Sequence, residues 1–378
     1  MSEKRSIFEE VSETRKPAAT PGALTAGRGR GRGFARGWLI TLFVLVVCMI
    51  VVGGLTRLTD SGLSITEWAP LSGALPPLNE ADWQSEFAAY QQTDEYRLQN
   101  AGMSLAEFQG IYWWEWGHRQ LGRVIGLVWA VGFVFLLATR RMPTGWAGRF
   151  LLLGALGGAQ GAIGWWMVHS GLQEGMLDVA SYRLATHLGL AFLILSLIAW
   201  YVQRLSRDEA ELMQARRSMD RKMKGMTTGL LHLSFLQILL GALVAGIDAG
   251  RMFPDWPLMA GGFTPPDMWQ IEPLWRNLFE NAGTVQFIHR IVGYVLVAFA
   301  IGLVMAARKS ANRSVKAAAQ VAAAMIFAQA TLGIVTVMQS SPLSLAIIHQ
   351  LGAVLTIILV LRARFTAMHP RAQSVRGS

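Results

Sequence analysis

Apolar residues fall in long runs, Trp38–Leu55, Val124–Ala138 and Tyr294–Ala307 among them, parted by polar and basic stretches. A helical run near twenty residues can cross a hydrocarbon layer roughly 30 Å thick. Eight such runs lie near 38–55, 116–138, 150–169, 183–203, 228–247, 284–306, 317–338 and 344–361. The pattern predicts an all-α polytopic membrane protein.

Composition agrees: 52% of residues are hydrophobic and 15% charged, against about a quarter charged in soluble domains. A net charge of +10 raises nucleic acid as a partner. The basic residues, however, sit in short loops between apolar runs, where they set membrane orientation. Every Lys, and most of the Arg, lies in residues 1–37, in the loops after spans two, four and six, or beyond span eight. The positive-inside rule then puts both termini in the cytoplasm. Two long loops, 56–115 and 248–283, face outward. Their Trp, Pro and acidic residues suit caps at the interface better than flexible linkers. The Gly-, Arg-, Ser- and Pro-rich stretch 1–37 reads as a disordered basic tail. The lone Cys48 builds neither an intrachain disulfide nor a CxxC metal site.

The second half rhymes with the first. HRQLGRVIGLVWA at 118 answers HRIVGYVLVAFA at 289, Gln160 answers Gln329, and His187 answers His349. Asp60, Glu67 and Trp68 answer Asp248, Asp255 and Trp256 at one constant offset. The expected organisation is a tail (1–37), a four-helix half (38–206), a cytoplasmic linker (207–227), a second four-helix half (228–362) and a cytoplasmic tail (363–378).

Four of the seven histidines, His118, His187, His289 and His349, fall at matched positions. His118 stands 22 residues from Arg140 and His349 stands 13 from Arg362, roughly 33 and 20 Å at helical rise. All four lie in the outer half of the layer. Two imidazoles from facing helices can bind a six-coordinate haem iron, and a bundle interior supplies a dry slot. Gly122, Gly126, Gly189, Gly293 and Gly352 make room there. Arg119, Arg123 and Arg290 at the rim are candidate propionate contacts. Zinc fits less well, because neither half gathers the three or four ligands it takes. A lone membrane histidine is often only a satisfied polar contact, and His169, His232 and His369, which have no matched partner, read that way.

The differences between halves locate the chemistry. Glu115 stands three residues before His118, and Gln286 three before His289. That spacing puts each on its histidine's helix face. Arg123 is answered by Tyr294. No other acid sits at a span mouth beside a ligand, so Glu115 is the candidate catalytic residue, moving protons at a haem edge. A plain helix N-terminal acid, favoured by the dipole, is the alternative.

The stretches GGLTRLTDSGLSITEWAPLSGALPP, MSLAEFQGIYWWEWGHRQLGR, HRIVGY and IIHQLGAV resemble the haem A synthase family across residues 38–362. The likeness is to the mitochondrial and alphaproteobacterial branch. Other members carry a cysteine pair in the first outer loop, which this chain lacks. The resemblance implies an oxidoreductase that converts the C8 methyl of haem O to a formyl group, giving haem A for cytochrome c oxidase. It implies substrate haem O on His118 and His187 with Glu115 beside it, and cofactor haem b on His289 and His349. It also implies haem O synthase and a membrane electron donor as partners, a homo-oligomer being open. The location implied is the bacterial inner membrane, with haem sites near the periplasmic side. A di-haem b-type electron carrier explains the four histidines equally well but not the acid in one half alone; a haem exporter needs a lateral opening and no reactive acid.

Overall fold

The computed structural model of the protein describes residues 23–70 and 72–372. Their α-helices are α1 (Ala23–Leu58), α2 (Glu80–Tyr90), α3 (Asp94–Leu98), α4 (Leu105–Ala138), α5 (Ala147–Gly171), α6 (Ser181–Leu205), α7 (Glu209–Arg217), α8 (Arg221–Gly246), α9 (Asn277–Glu280), α10 (Ala282–Ala307), α11 (Arg313–Met338) and α12 (Leu343–Met368). Eight of them, α1, α4, α5, α6, α8, α10, α11 and α12, are long and apolar enough to cross a membrane. All eight expected spans are there.

In the first half α1 packs on α4 and α6, and α5 on α6; in the second, α8 packs on α10 and α12, and α11 on α10 and α12. The seam between halves runs α6 to α8, α6 to α12 and α1 to α12. Between helices in lipid the drive is close packing and polar contact. Both operate at the seam. A Cβ on Gly189 would meet Leu239 Cδ2 at 2.5 Å, so glycine there lets Leu239 of α8 pack directly on the α6 backbone. Gln350 of α12 donates through Nε2 to the Ile50 carbonyl of α1 at 2.6 Å. At the C-terminal end of α1 Arg57 donates to Asp60 (2.8 Å), Asp248 (2.9 Å) and Asp178 (3.4 Å), tying three loops from both halves.

Several boundaries differ from the sequence reading. α1 reaches back to Ala23, so residues 23–37 are helical and not a disordered tail; residues 1–22 lie outside the described residues. The linker 207–227 holds α7 and the start of α8, and α12 continues to Met368. The shift that matters for the site is at α4, which begins eleven residues before 116. Ser104 caps it, accepting from the Glu107 N–H at 3.3 Å, while Glu107 accepts from the Ser104 N–H at 2.8 Å. This reciprocal capping box satisfies two otherwise unpaired donors and starts the helix there. The long loop between α1 and α4 folds into a cap: Ile65, Phe87, Tyr90, Phe108 and Tyr112 form a small apolar core between α2, the loop and α4.

Candidate functional site

The early start of α4 changes what Glu115 is. It is not at a helix mouth, as the sequence suggests, but about three turns inside α4. Its side chain is 3% exposed. A carboxylate there requires partners, and it has several. Oε2 accepts from Ser64 Oγ at 2.7 Å and from the Ile65 N–H at 2.8 Å. Oε1 accepts from Arg119 Nη2 at 2.7 Å and Nε at 3.1 Å. Glu115 therefore ties loop and helix together at the point where the histidine begins its turn.

Arg119, Arg123 and Arg290 serve the same purpose. Arg119 also donates to the carbonyls of Ile65 (2.9 Å) and Glu67 (3.1 Å), and Arg123 to those of Ala69 and Pro70 (both 3.0 Å). In the second half Arg290 donates to the Phe253 (2.8 Å) and Leu258 (3.1 Å) carbonyls. Ile65 and Phe253 stand at the same offset as the Asp60 and Asp248 pair. At the Phe253 carbonyl Gln286 donates at 3.2 Å, whereas Glu115 accepts from Ile65. The acid-to-amide change reverses the bond's direction while keeping its place.

All four histidines are half-buried. His118 and His187 bring their ring centres to 6.4 Å, with planes at 68°. Two imidazoles on opposite sides of one metal, each bond roughly 2 Å long, have ring centres roughly 6 Å apart. The first pair thus fits a bis-histidine iron. Each ring also rests against a glycine of the preceding span. A Cβ would come within 2.9 Å of His118 at Gly53, 2.9 Å of His187 at Gly164, 3.1 Å of His289 at Gly241 and 2.9 Å of His349 at Gly333. Such contacts force a neighbour to move, so these positions let the rings stand upright in their slots. In the second half His289 Nδ1 is buried without a hydrogen-bond partner among the described residues. The cradle and the donor set fit a haem there as well.

The glycines named from sequence divide. At Gly126 a Cβ would meet nothing within 4 Å, which is open space, and at Gly122 only Met49 at 3.5 Å. Gly189 serves the α6–α8 seam instead. Gly293 and Gly352 let Gln237 and Gln329 approach. Gly53, Gly164, Gly241 and Gly333 went unnamed, although Gly53 and Gly241 recur at the Asp60 and Asp248 offset, and Gly164 and Gly333 at the Gln160 and Gln329 offset. Of the unmatched histidines, His369 packs on Phe365 with ring centres 4.8 Å apart, and His232 is exposed. His169 stacks on Trp165 and, with Arg119 and Trp68, lines a cleft of about 210 Å³ above the site.

An eight-span helical membrane protein with a histidine pair in each four-helix unit is the class this geometry defines. The chain matches the cytochrome oxidase assembly protein family over residues 36–361 and belongs to it. Over its full length it is 65% identical to the heme A synthase of Jannaschia sp. (strain CCS1) and 60% to that of Ruegeria pomeroyi, each covered completely. It is 58% identical to the heme A synthase of Paracoccus denitrificans, with 99% of both chains covered.

Proposed function

We propose that the protein is a haem A synthase, a membrane oxidoreductase that converts the C8 methyl of haem O to a formyl group in two successive oxidations through a hydroxymethyl stage. Haem O is the substrate, held in the first half by His118 and His187. The observation that carries the reading is the 6.4 Å pair lying one helical turn below a buried carboxylate that the second half replaces with an amide. His289 and His349 hold haem b, which supplies electron transfer when bound. Glu115 accepts and returns protons at the edge of the substrate, and its hydrogen bonds to Ser64, Ile65 and Arg119 hold it in one position for that work. The cap formed by residues 64–70, drawn down by Arg119 and Arg123, keeps water from the reacting carbon. Arg119, Arg123 and Arg290 would supply the positive charge for the haem propionates. α1 links the halves: Gly53 underlies His118, and the adjacent Gly54 underlies Gln350, the neighbour of His349. The sites lie toward the outer side of a bacterial inner membrane, with haem O synthase and an electron donor as partners.

The test is extraction and separation of the pigments from protein purified from a host that makes haem O. Haem b together with haem O or haem A is expected. Haem b alone would overturn the reading in favour of a di-haem electron carrier.

A further inference from the structure

Four residues before each cradle glycine, on the same helix face, stands a second recurring side chain. Gln160 precedes Gly164, Gln237 precedes Gly241 and Gln329 precedes Gly333. Each glutamine donates through Nε2 to the backbone carbonyl of the histidine its glycine cradles: to His187 at 3.0 Å, His289 at 3.0 Å and His349 at 2.7 Å. The same amide lies 3.1–3.3 Å from a ring nitrogen of that histidine. In all three, Oε1 is buried without a hydrogen-bond partner among the described residues. The amides are thus anchored through their donor ends alone, and each fastens a ligand helix to its neighbour at the ligand itself.

The fourth position breaks the pattern. Four residues before Gly53 stands Met49, which has no hydrogen to donate. Its methyl reaches instead toward Gly122, one turn beyond His118. Among the described residues no hydrogen bond fastens the His118 carbonyl from α1. On its other side α4 also touches α5 much less than α10 touches α11, while its packing on α1 matches that of α10 on α8. Open space surrounds Gly117 and Gly126 on α4 and Gly157, Gly158 and Gly161 on α5.

We propose that Met49, standing where the other three ligand helices are fastened by a glutamine, leaves His118 as the one releasable haem ligand, so that the first half can take up haem O and surrender haem A. The inference rests on the proposed function and adds to it a division of labour: three held ligands and one that yields. Exchange of haem requires breaking an iron–nitrogen bond. The ligand whose own carbonyl no glutamine holds is the one that yields, although Glu115 and Trp38 still tie α4 to its neighbours above and below it.

The test uses the full-length protein in detergent, purified from a host that makes haem O, with transfer of each haem to an excess of a soluble haem-acceptor apoprotein followed by absorbance. Met49→Gln is expected to slow release of the first-half haem at least tenfold and to leave haem b release unchanged. Gln237→Met is expected to speed haem b release at least tenfold. First-half haem leaving Met49→Gln at the wild-type rate would overturn the proposal. So would Gln237→Met holding haem b as the wild type does. If Met49→Gln does not fold, the Gln237→Met arm decides alone. If the wild type carries only haem b, the haem A synthase reading fails separately, and Gln237→Met still measures the fastening.

Discussion

Glu115 accepts a hydrogen bond from the backbone N–H of Ile65 at 2.8 Å, joining the interior of α4 to the loop that follows α1. The same carboxylate faces Ser64 and Arg119, all donors. Glu115→Gln puts an NH2 among those donors whichever way the amide turns. Haem b content is expected to stay at the wild-type level while haem A formation falls about a hundredfold, the usual loss when a proton-transfer group is removed. Pigment extraction from the variant measures both, and haem A accumulating at the normal rate would leave Glu115 as a loop tether only.

Arg119→Met removes the charge that balances Glu115 while keeping length. An uncompensated buried charge costs about 3–5 kcal/mol. The variant is expected to melt well below the wild type, and Arg119→Met combined with Glu115→Gln to recover most of the loss. Two additive penalties would show that the pair does not act as a unit.

The cradle glycines differ sharply from the open ones. Gly333→Val places branched carbon where even a Cβ would come within 2.9 Å of His349, whereas Gly126→Ala meets nothing within 4 Å. Haem b content is expected to drop severalfold in the first and hold in the second. Equal b-type absorbance in both variants would remove the cradle from the account.

His289→Ala or His349→Ala is expected to abolish the b-type spectrum, because one imidazole is half of the ligand set. His187→Ala is expected to leave that spectrum and eliminate haem O binding. An unchanged b-type spectrum in His349→Ala would refute the assignment of the second pair.

Glu95, on α3 of the cap, is 3% exposed, and its Oε2 has no hydrogen-bond partner among the described residues. Burial, then the charges of Asp178, Glu115 and Asp60, pushes its carboxyl up to about 8 from 4.5, against a smaller pull from Tyr90. Between those values the folded protein holds a proton that the unfolded chain has lost, so stability falls as pH rises through the window. Glu95→Gln removes that slope. Its melting temperature relative to the wild type is expected to rise from about pH 5 to about pH 8; a constant difference would place the Glu95 carboxyl near its ordinary value.

Much of this was legible along the chain. Residues with a strong periodic or compositional signature, the eight apolar runs and the recurring histidines, report themselves because each needs only its own neighbours to be recognised. The start of α4 was also written there, as Ser104-Leu-Ala-Glu107 ahead of an apolar stretch, a capping-box signature masked by the polar and aromatic residues that follow it. Taking the helix to begin at 116 made Glu115 look like a charge at a mouth.

The amino-acid sequence by itself determined the class of the protein, its spans, its four matched histidines and the one acid without a counterpart, because these follow from hydrophobic length and from order along the chain. Only the tertiary structure decided what those residues touch. It turned three rim arginines into clasps for the outer loops, set the first imidazoles 6.4 Å apart, and put a glycine under every ring and a glutamine beside three of them. The reason is physical: a contact between helices depends on the rotation and depth of both, and no residue of either helix records where the other will lie.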